Sequence, residues 1–139
     1  MKNIFELYAQ AQEGDPKSQN DLAMAFTQGV ELPKDKEEAY IWFKEAADQE
    51  YGAAMVNLAK MYEIGDFVVQ DYEEAARLYE KAAKQGNAEA MNKLSALYSD
   101  GLGVEKNKKT ALEWLKKAAK QKKPAENKEL LKTIKAKLN

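Results

Sequence analysis

Residues 51–86, with the sequence YGAAMVNLAKMYEIGDFVVQDYEEAARLYEKAAKQG, decide the fold of this chain. The stretch reads as a helix, a glycine-containing turn, a second helix and a stop. Its copies align without a gap when the 139-residue sequence is shifted by 36 residues. Self-similarity at one fixed period is typical of a solenoid, in which each repeat buries its apolar face only by stacking on its neighbours. The aligned positions are Leu22, Leu58, Leu94 and Leu130; Phe26, Tyr62, Tyr98 and Ile134; Gly29, Gly65 and Gly101; and Ala39, Ala75 and Ala111.

The repeats predict an all-α fold. We expect an α/α superhelical solenoid of antiparallel helix pairs with about eight helices, forming a single domain over residues 1–139. The predicted parts are an N-terminal capping helix at residues 1–13, repeats at residues 14–50, 51–86 and 87–122, and a C-terminal capping helix, half a repeat, at residues 123–139.

The helix ends are marked by residues with known preferences. Asp15-Pro16 favours a helix start, because Asp accepts hydrogen bonds from the free N–H groups and proline loses nothing at the first helical position. Asp35 and Asp71 are predicted to cap the second helices of repeats one and two. Gly65 is predicted to end a helix, since a residue without a Cβ takes the left-handed conformation readily.

Small and large residues alternate along each repeat. Alanine at positions 39, 75 and 111 lets the two helices of a repeat approach closely, while Leu, Tyr and Trp fill the space between repeats. Leu32, Val68 and Val104 are predicted to pack each turn against the next helix pair. The apolar residues of the last predicted helix are Leu130, Leu131, Ile134 and Leu138.

The composition excludes several kinds of chemistry. The chain has neither cysteine nor histidine, so disulfides, Cys/His zinc sites, cysteine nucleophiles and histidine bases are absent. The acid pairs Glu37-Glu38 and Glu73-Glu74 fall in the first turns of predicted helices, where negative charge offsets the helix dipole. We therefore expect no enzymatic activity, no cofactor and no metal site.

The N-terminus lacks the continuous apolar segment of a signal peptide, and no window approaches the ~20 apolar residues of a membrane span. We expect a cytoplasmic monomer with no membrane span. A secreted or periplasmic form whose signal has been removed stays open as an alternative.

Charge is distributed unevenly along the chain. Residues 1–105 carry 10 Lys/Arg against 20 Asp/Glu, whereas residues 106–139 carry 12 Lys against 3 Glu. The basic end has two interpretations: a solvated outer face of a terminal repeat, or a surface that contacts an acidic partner or nucleic acid. Nucleic acid is disfavoured, because Trp114 is the only aromatic residue in this segment.

The register resembles that of the Sel1-like repeat, an α/α solenoid family related to tetratricopeptide repeats. In repeat three the matching residues are Ala88, Ala90, Leu94, Tyr98, Gly101, Gly103, Val104, Ala111, Trp114, Ala118 and Ala119. The chain departs from the family pattern at two glycines. The first is replaced by Ala23, Ala59 and Ser95, and the second, Gly103 in repeat three, is replaced by Glu31 and Phe67 in the other repeats.

The resemblance implies a non-catalytic protein-protein interaction module, an adaptor or scaffold that binds a peptide or protein on its concave surface. It also implies that the first helix of each repeat lines that surface. The candidate partner-binding residues are Asn20, Met24, Thr27, Val56, Asn57, Lys60, Glu63, Asn92, Lys93 and Ser99. Asn20, Val56 and Asn92 form a row at the repeat spacing, in which the asparagines could bind a peptide backbone or simply be soluble.

Two questions stay open at this point. Phe67 lies in an apolar turn and is either a local plug against the adjacent helix or an exposed contact for a partner. The function has an alternative too: a dedicated inhibitor, or immunity-type protein, that neutralises one partner such as a toxin. An adaptor should bind several partners moderately, whereas an inhibitor should bind one tightly.

Overall fold

The computed structural model describes residues 3–121, together with Lys132, Lys135 and Ala136. Within residues 3–121 every regular element is an α-helix, which confirms the all-α prediction. The predicted C-terminal capping helix lies almost entirely outside the described residues. The helices are α1 (Ile4–Gln12), α2 (Pro16–Gln28), α3 (Lys36–Asp48), α4 (Gly52–Ile64), α5 (Tyr72–Lys84), α6 (Ala88–Asp100) and α7 (Lys108–Ala119).

The helices belong to two compact units, residues 1–70 and residues 71–139. In the first unit α2 packs on α1 and α3, and α3 packs on α4. In the second unit α6 packs on α5 and α7. The prediction of one domain over the whole chain stays a prediction.

The predicted helix ends are confirmed. Asp15 caps α2 by accepting a hydrogen bond from the backbone N–H of Ser18, and Pro16 is the first helical residue. Asp35 and Asp71 cap α3 and α5 through the same kind of bond. Gly65 ends α4 in the left-handed conformation, with a φ of 72°, as predicted from its missing Cβ.

The core follows the predicted alternation of small and large residues. Ala39, Ala75 and Ala111 are at most 1% exposed, so each has no room for a longer side chain without movement of its neighbours. Ser95 on α6 is also buried, and its hydroxyl donates to the carbonyl oxygen of Ala111 at 2.7 Å. The serine that replaces a family glycine therefore ties α6 to α7 directly.

The sequence does not predict a polar network around the buried Gln19 in the first unit. The Gln19 amide nitrogen donates to the Ala11 carbonyl oxygen at 3.0 Å. The Gln49 amide nitrogen donates to Gln19 Oε1 and to the Gly14 carbonyl oxygen, both at 2.9 Å. Because unpaired polar groups are costly to bury, these bonds hold α1, α2 and the end of α3 in one arrangement.

Ala111→Leu should destabilise the protein by ~1–3 kcal/mol, because the added atoms overpack the contact between α6 and α7. The measurement is urea unfolding followed by circular dichroism. Ala96→Leu, at an exposed position of α6, is the matched control and should change stability by less than ~0.5 kcal/mol. Equal effects of the two substitutions would contradict the close contact at Ala111.

Candidate functional site

A pocket of about 170 Å³ lies between α2, α3 and α4 in the first unit. Its lining residues recur at helical spacing, so that one face of α2 and one face of α4 form opposite walls. Four of the predicted partner-binding residues lie here: Met24, Thr27, Asn57 and Lys60. The remaining lining residues are Gln28, Lys36, Ala39, Phe43, Met61, Ile64 and Asp66.

The pocket has an apolar floor and a mixed rim. Ala39, Phe43 and Met61 are buried, whereas Ile64 is 69% exposed. At one end the Lys36 ammonium group lies 2.7 Å from an Asp66 carboxylate oxygen, closing the rim with an ion pair. A cavity of ~150 Å³ can hold a benzene molecule, so this pocket has room for one large apolar side chain.

Two of the predicted contact residues do not face outward. Asn20 is 5% exposed and Val56 is 3% exposed, so the expectation that both lie on an open surface is wrong. The Asn57 amide nitrogen donates to Asn20 Oδ1 at 3.1 Å, so that α4 covers this asparagine and pairs its oxygen. For Val56 the reason is its apolar, β-branched side chain, which favours burial.

The other predicted contact residues lie away from this pocket. Glu63 is half-buried on α4, and its carbonyl oxygen accepts a hydrogen bond from the Gln70 side chain. Asn92, Lys93 and Ser99 are half-buried on α6 in the second unit. Their part in binding stays a prediction.

The sequence does not predict that Lys36 and Asp66 line the pocket and form an ion pair at its rim. They lie at the start of α3 and in the turn after α4, and only the fold brings them together. Gln28 and Ile64 also line the pocket, because they lie one helical turn after Met24 and Lys60 on the same helix faces.

The turn after α4 holds Phe67 in a left-handed conformation, with a φ of 68°. Gly103, at the same place in repeat three, has a φ of 73°. A Cβ on Gly103 would lie 2.2 Å from the Tyr72 carbonyl oxygen, so glycine is required there. Phe67 therefore keeps the backbone conformation of the family glycine although a bulky side chain makes it unfavourable.

The Phe67 side chain has features both of a local plug and of an exposed contact for a partner. Its ring centroid lies 5.8 Å from that of Tyr40, which stacks edge-on against Tyr62 at 6.4 Å. It is nevertheless 52% exposed. Within the described part of the chain, all the exposed large apolar side chains belong to the first unit: Phe5, Met24, Val30, Ile41, Ile64, Phe67 and Val69.

Within the part of the chain that the structure describes, no group of three or more Asp and Glu residues is placed to hold a metal ion. The described helices include none that is long and apolar enough to cross a membrane.

Comparison with known proteins identifies the family. The family model described as Sel1 repeat matches residues 16–51, 52–87 and 88–123. The chain therefore belongs to the Sel1 repeat family, as its register indicated. Sel1 repeat proteins are generally protein-interaction scaffolds, and the fold is typically non-catalytic.

Solved structures show the same fold. A protective antigen of uropathogenic Escherichia coli strains, which displays an SLR fold, is 35% identical over 91% of this chain, with a TM-score of 0.86. This chain spans 27% of that antigen. A Sel1 repeat protein from Oxalobacter formigenes is 32% identical, with a TM-score of 0.83, over 94% of this chain and 98% of its own.

A more distant structure is the cysteine rich protein B of Helicobacter pylori, 22% identical with a TM-score of 0.68, covering 87% of this chain and 92% of that protein. It shares the fold alone. A search of curated proteins by sequence finds no match.

Gly103→Ala should destabilise the protein by at least ~2 kcal/mol, because the new Cβ overlaps the start of α5 and the left-handed conformation is strained.

Phe67→Gly should change stability by less than ~1 kcal/mol. Relief of the left-handed backbone strain at position 67 offsets two losses. One is the greater conformational entropy of glycine in the unfolded chain, and the other is the contact between the Phe67 and Tyr40 rings. The stabilities of both variants are measured by urea unfolding. A large loss in Phe67→Gly would show that Phe67 is chiefly a structural plug.

Proposed function

We propose that this chain is a non-catalytic protein-interaction module that binds a segment of a partner protein in the pocket between α2, α3 and α4. The observation that carries the proposal is the convergence of Met24, Thr27, Asn57 and Lys60 on one apolar-floored pocket. Concave sites with an apolar lining and a few polar groups are the usual form of a binding site.

The dimensions of the pocket support a partner that presents a large apolar side chain from an extended segment. The floor of Ala39, Phe43 and Met61 would cover that side chain, and its burial would supply about 1.5–3 kcal/mol. Met24 and Met61 can adapt to different apolar shapes, since methionine is unbranched and polarizable. Polar groups at the rim would lie next to the partner backbone.

The exposed apolar residues of the first unit support a second contact beside this pocket. Ile64 lines the pocket, and Phe67 follows it in the turn after α4. A partner that fills the pocket could also cover Phe67, which would explain why a large side chain is kept where the family has glycine. Strained residues of this kind are concentrated at functional sites.

A selection of displayed peptides against the folded chain tests the proposal. Thr27→Arg, which places a long charged side chain at the rim, should weaken a selected peptide by at least ~tenfold, or ~1.4 kcal/mol. The dissociation constant is measured by fluorescence anisotropy. Ala53→Arg is the matched control, because Ala53 is exposed on α4 and does not line the pocket.

If the selected peptides bind the Thr27→Arg variant as tightly as the unaltered chain, the pocket is not the binding site. The peptides also separate an adaptor from a dedicated inhibitor. Several unrelated sequences of moderate affinity would support an adaptor. A single sequence that leads to one tightly bound protein, whose activity is then lost, would support an inhibitor.

A further inference from the structure

The first turn of α7 differs in charge from the equivalent turns of α3 and α5. Helix α3 begins with Asp35 as its cap and Glu37 and Glu38 in its first turn, and α5 has the same acidic pattern. Helix α7 has the neutral cap Asn107, which still accepts a hydrogen bond from the Thr110 backbone N–H. Its first turn holds no acidic residue.

Lys109 stands where α3 and α5 have Glu37 and Glu73, and Thr110 stands where they have Glu38 and Glu74, whereas Lys108 matches Lys36 of α3. Lys106 precedes the cap of α7, and Lys108 and Lys109 are its first two residues. Positive charge at a helix N-terminus opposes the helix dipole, so this arrangement lowers the stability of α7 relative to the acidic alternative. Where a helix lacks the negative charge favoured at its N-terminus and no contact makes up the lost stability, the position is a candidate functional one.

The lysines continue along one exposed face of α7. Lys109, Lys116 and Lys120 are separated by seven and four residues, a spacing that places them on the same side of the helix. Ala111 and Ala118 are buried on the opposite side. The α7 lysine face consists of the three exposed lysines Lys109, Lys116 and Lys120, and Lys106, Lys108 and Lys117 are exposed as well.

These ammonium groups form no ion pair with any carboxylate of the described residues, although Glu105 and Glu113 lie among them in the sequence. Several lysines of the other helices are paired. Lys17 pairs with Asp21 at 3.2 Å, and Lys36 pairs with Asp66 at 2.7 Å. Within residues 3–121, no carboxylate compensates the positive charge of the α7 lysine face through an ion pair.

We propose that the α7 lysine face docks an acidic segment of a partner protein. The charge of the face selects a partner rich in Asp and Glu, and such complementarity chiefly accelerates and orients association. This surface belongs to the second unit, whereas the pocket belongs to the first.

Two other polyanions fit the face less well. Nucleic-acid sites combine basic residues with aromatic stacking platforms. Trp114 is half-buried, and the Lys117 ammonium group already lies 4.6 Å from its ring centroid. An anionic membrane would require apolar side chains that insert beside the lysines, and the exposed large apolar residues described here are all in the first unit.

The test measures binding of a labelled peptide of alternating Glu and Ala to the full chain by fluorescence anisotropy. A salt concentration of about 0.15 M is used, because charges more than ~8 Å away are then screened. The triple variant Lys109→Glu/Lys116→Glu/Lys120→Glu should weaken binding by about tenfold or more. Lys17→Glu/Lys44→Glu/Lys84→Glu makes the same change in net charge on α2, α3 and α5, and should have an effect below about threefold.

A second variant separates binding from folding. Lys109→Glu/Thr110→Glu restores the acidic first turn found in α3 and α5, so it should raise the urea midpoint while it weakens peptide binding. A loss of binding through unfolding would instead lower the midpoint.

The proposal is overturned if the unaltered chain does not bind the Glu peptide better than a Gln-Ala peptide, or if both triple variants lose binding equally. It is also overturned if a single-stranded oligonucleotide or phosphatidylserine vesicles bind in preference to the Glu peptide.

Discussion

The close contact between paired helices, α2 with α3 and α6 with α7, is the constraint on which the fold of each unit depends. Ala39 and Ala111 are fully buried in these helix pairs, where a methyl group is the largest side chain that fits. A short amphipathic helix is marginal on its own in water, so it is stable here only because its apolar face is covered by its neighbours. The serine at position 95 adds a hydrogen bond to the same contact. Each helix therefore depends on the neighbours that cover it.

Features that depend on a few adjacent residues could be predicted from the sequence. The caps Asp15, Asp35 and Asp71 and the stop Gly65 follow from local hydrogen bonding and backbone sterics, and all are confirmed. The buried alanines could be predicted as well, since a period repeated three times separates core positions from variable ones.

Features that depend on contacts between distant residues could be predicted only in part. Positions next to the buried face of a helix are the hardest to assign as exposed or buried, because periodicity does not show how far a neighbouring helix covers them. Asn20 was expected on the surface and is instead bonded to Asn57, 37 residues away in the sequence. The ion pair that closes the pocket, and the network around Gln19, depend on contacts of the same long range.

The turns show how a repeat can acquire a new surface without a new backbone. Residues 31, 67 and 103 share one left-handed conformation, yet they are Glu, Phe and Gly. Only at Gly103 does a neighbouring backbone forbid a Cβ. At positions 31 and 67 the turn accommodates a side chain at this φ, at the cost of the strain that residues with a Cβ meet there. A change of side chain at position 67 therefore alters the surface that the turn presents while the backbone of the repeat stays the same.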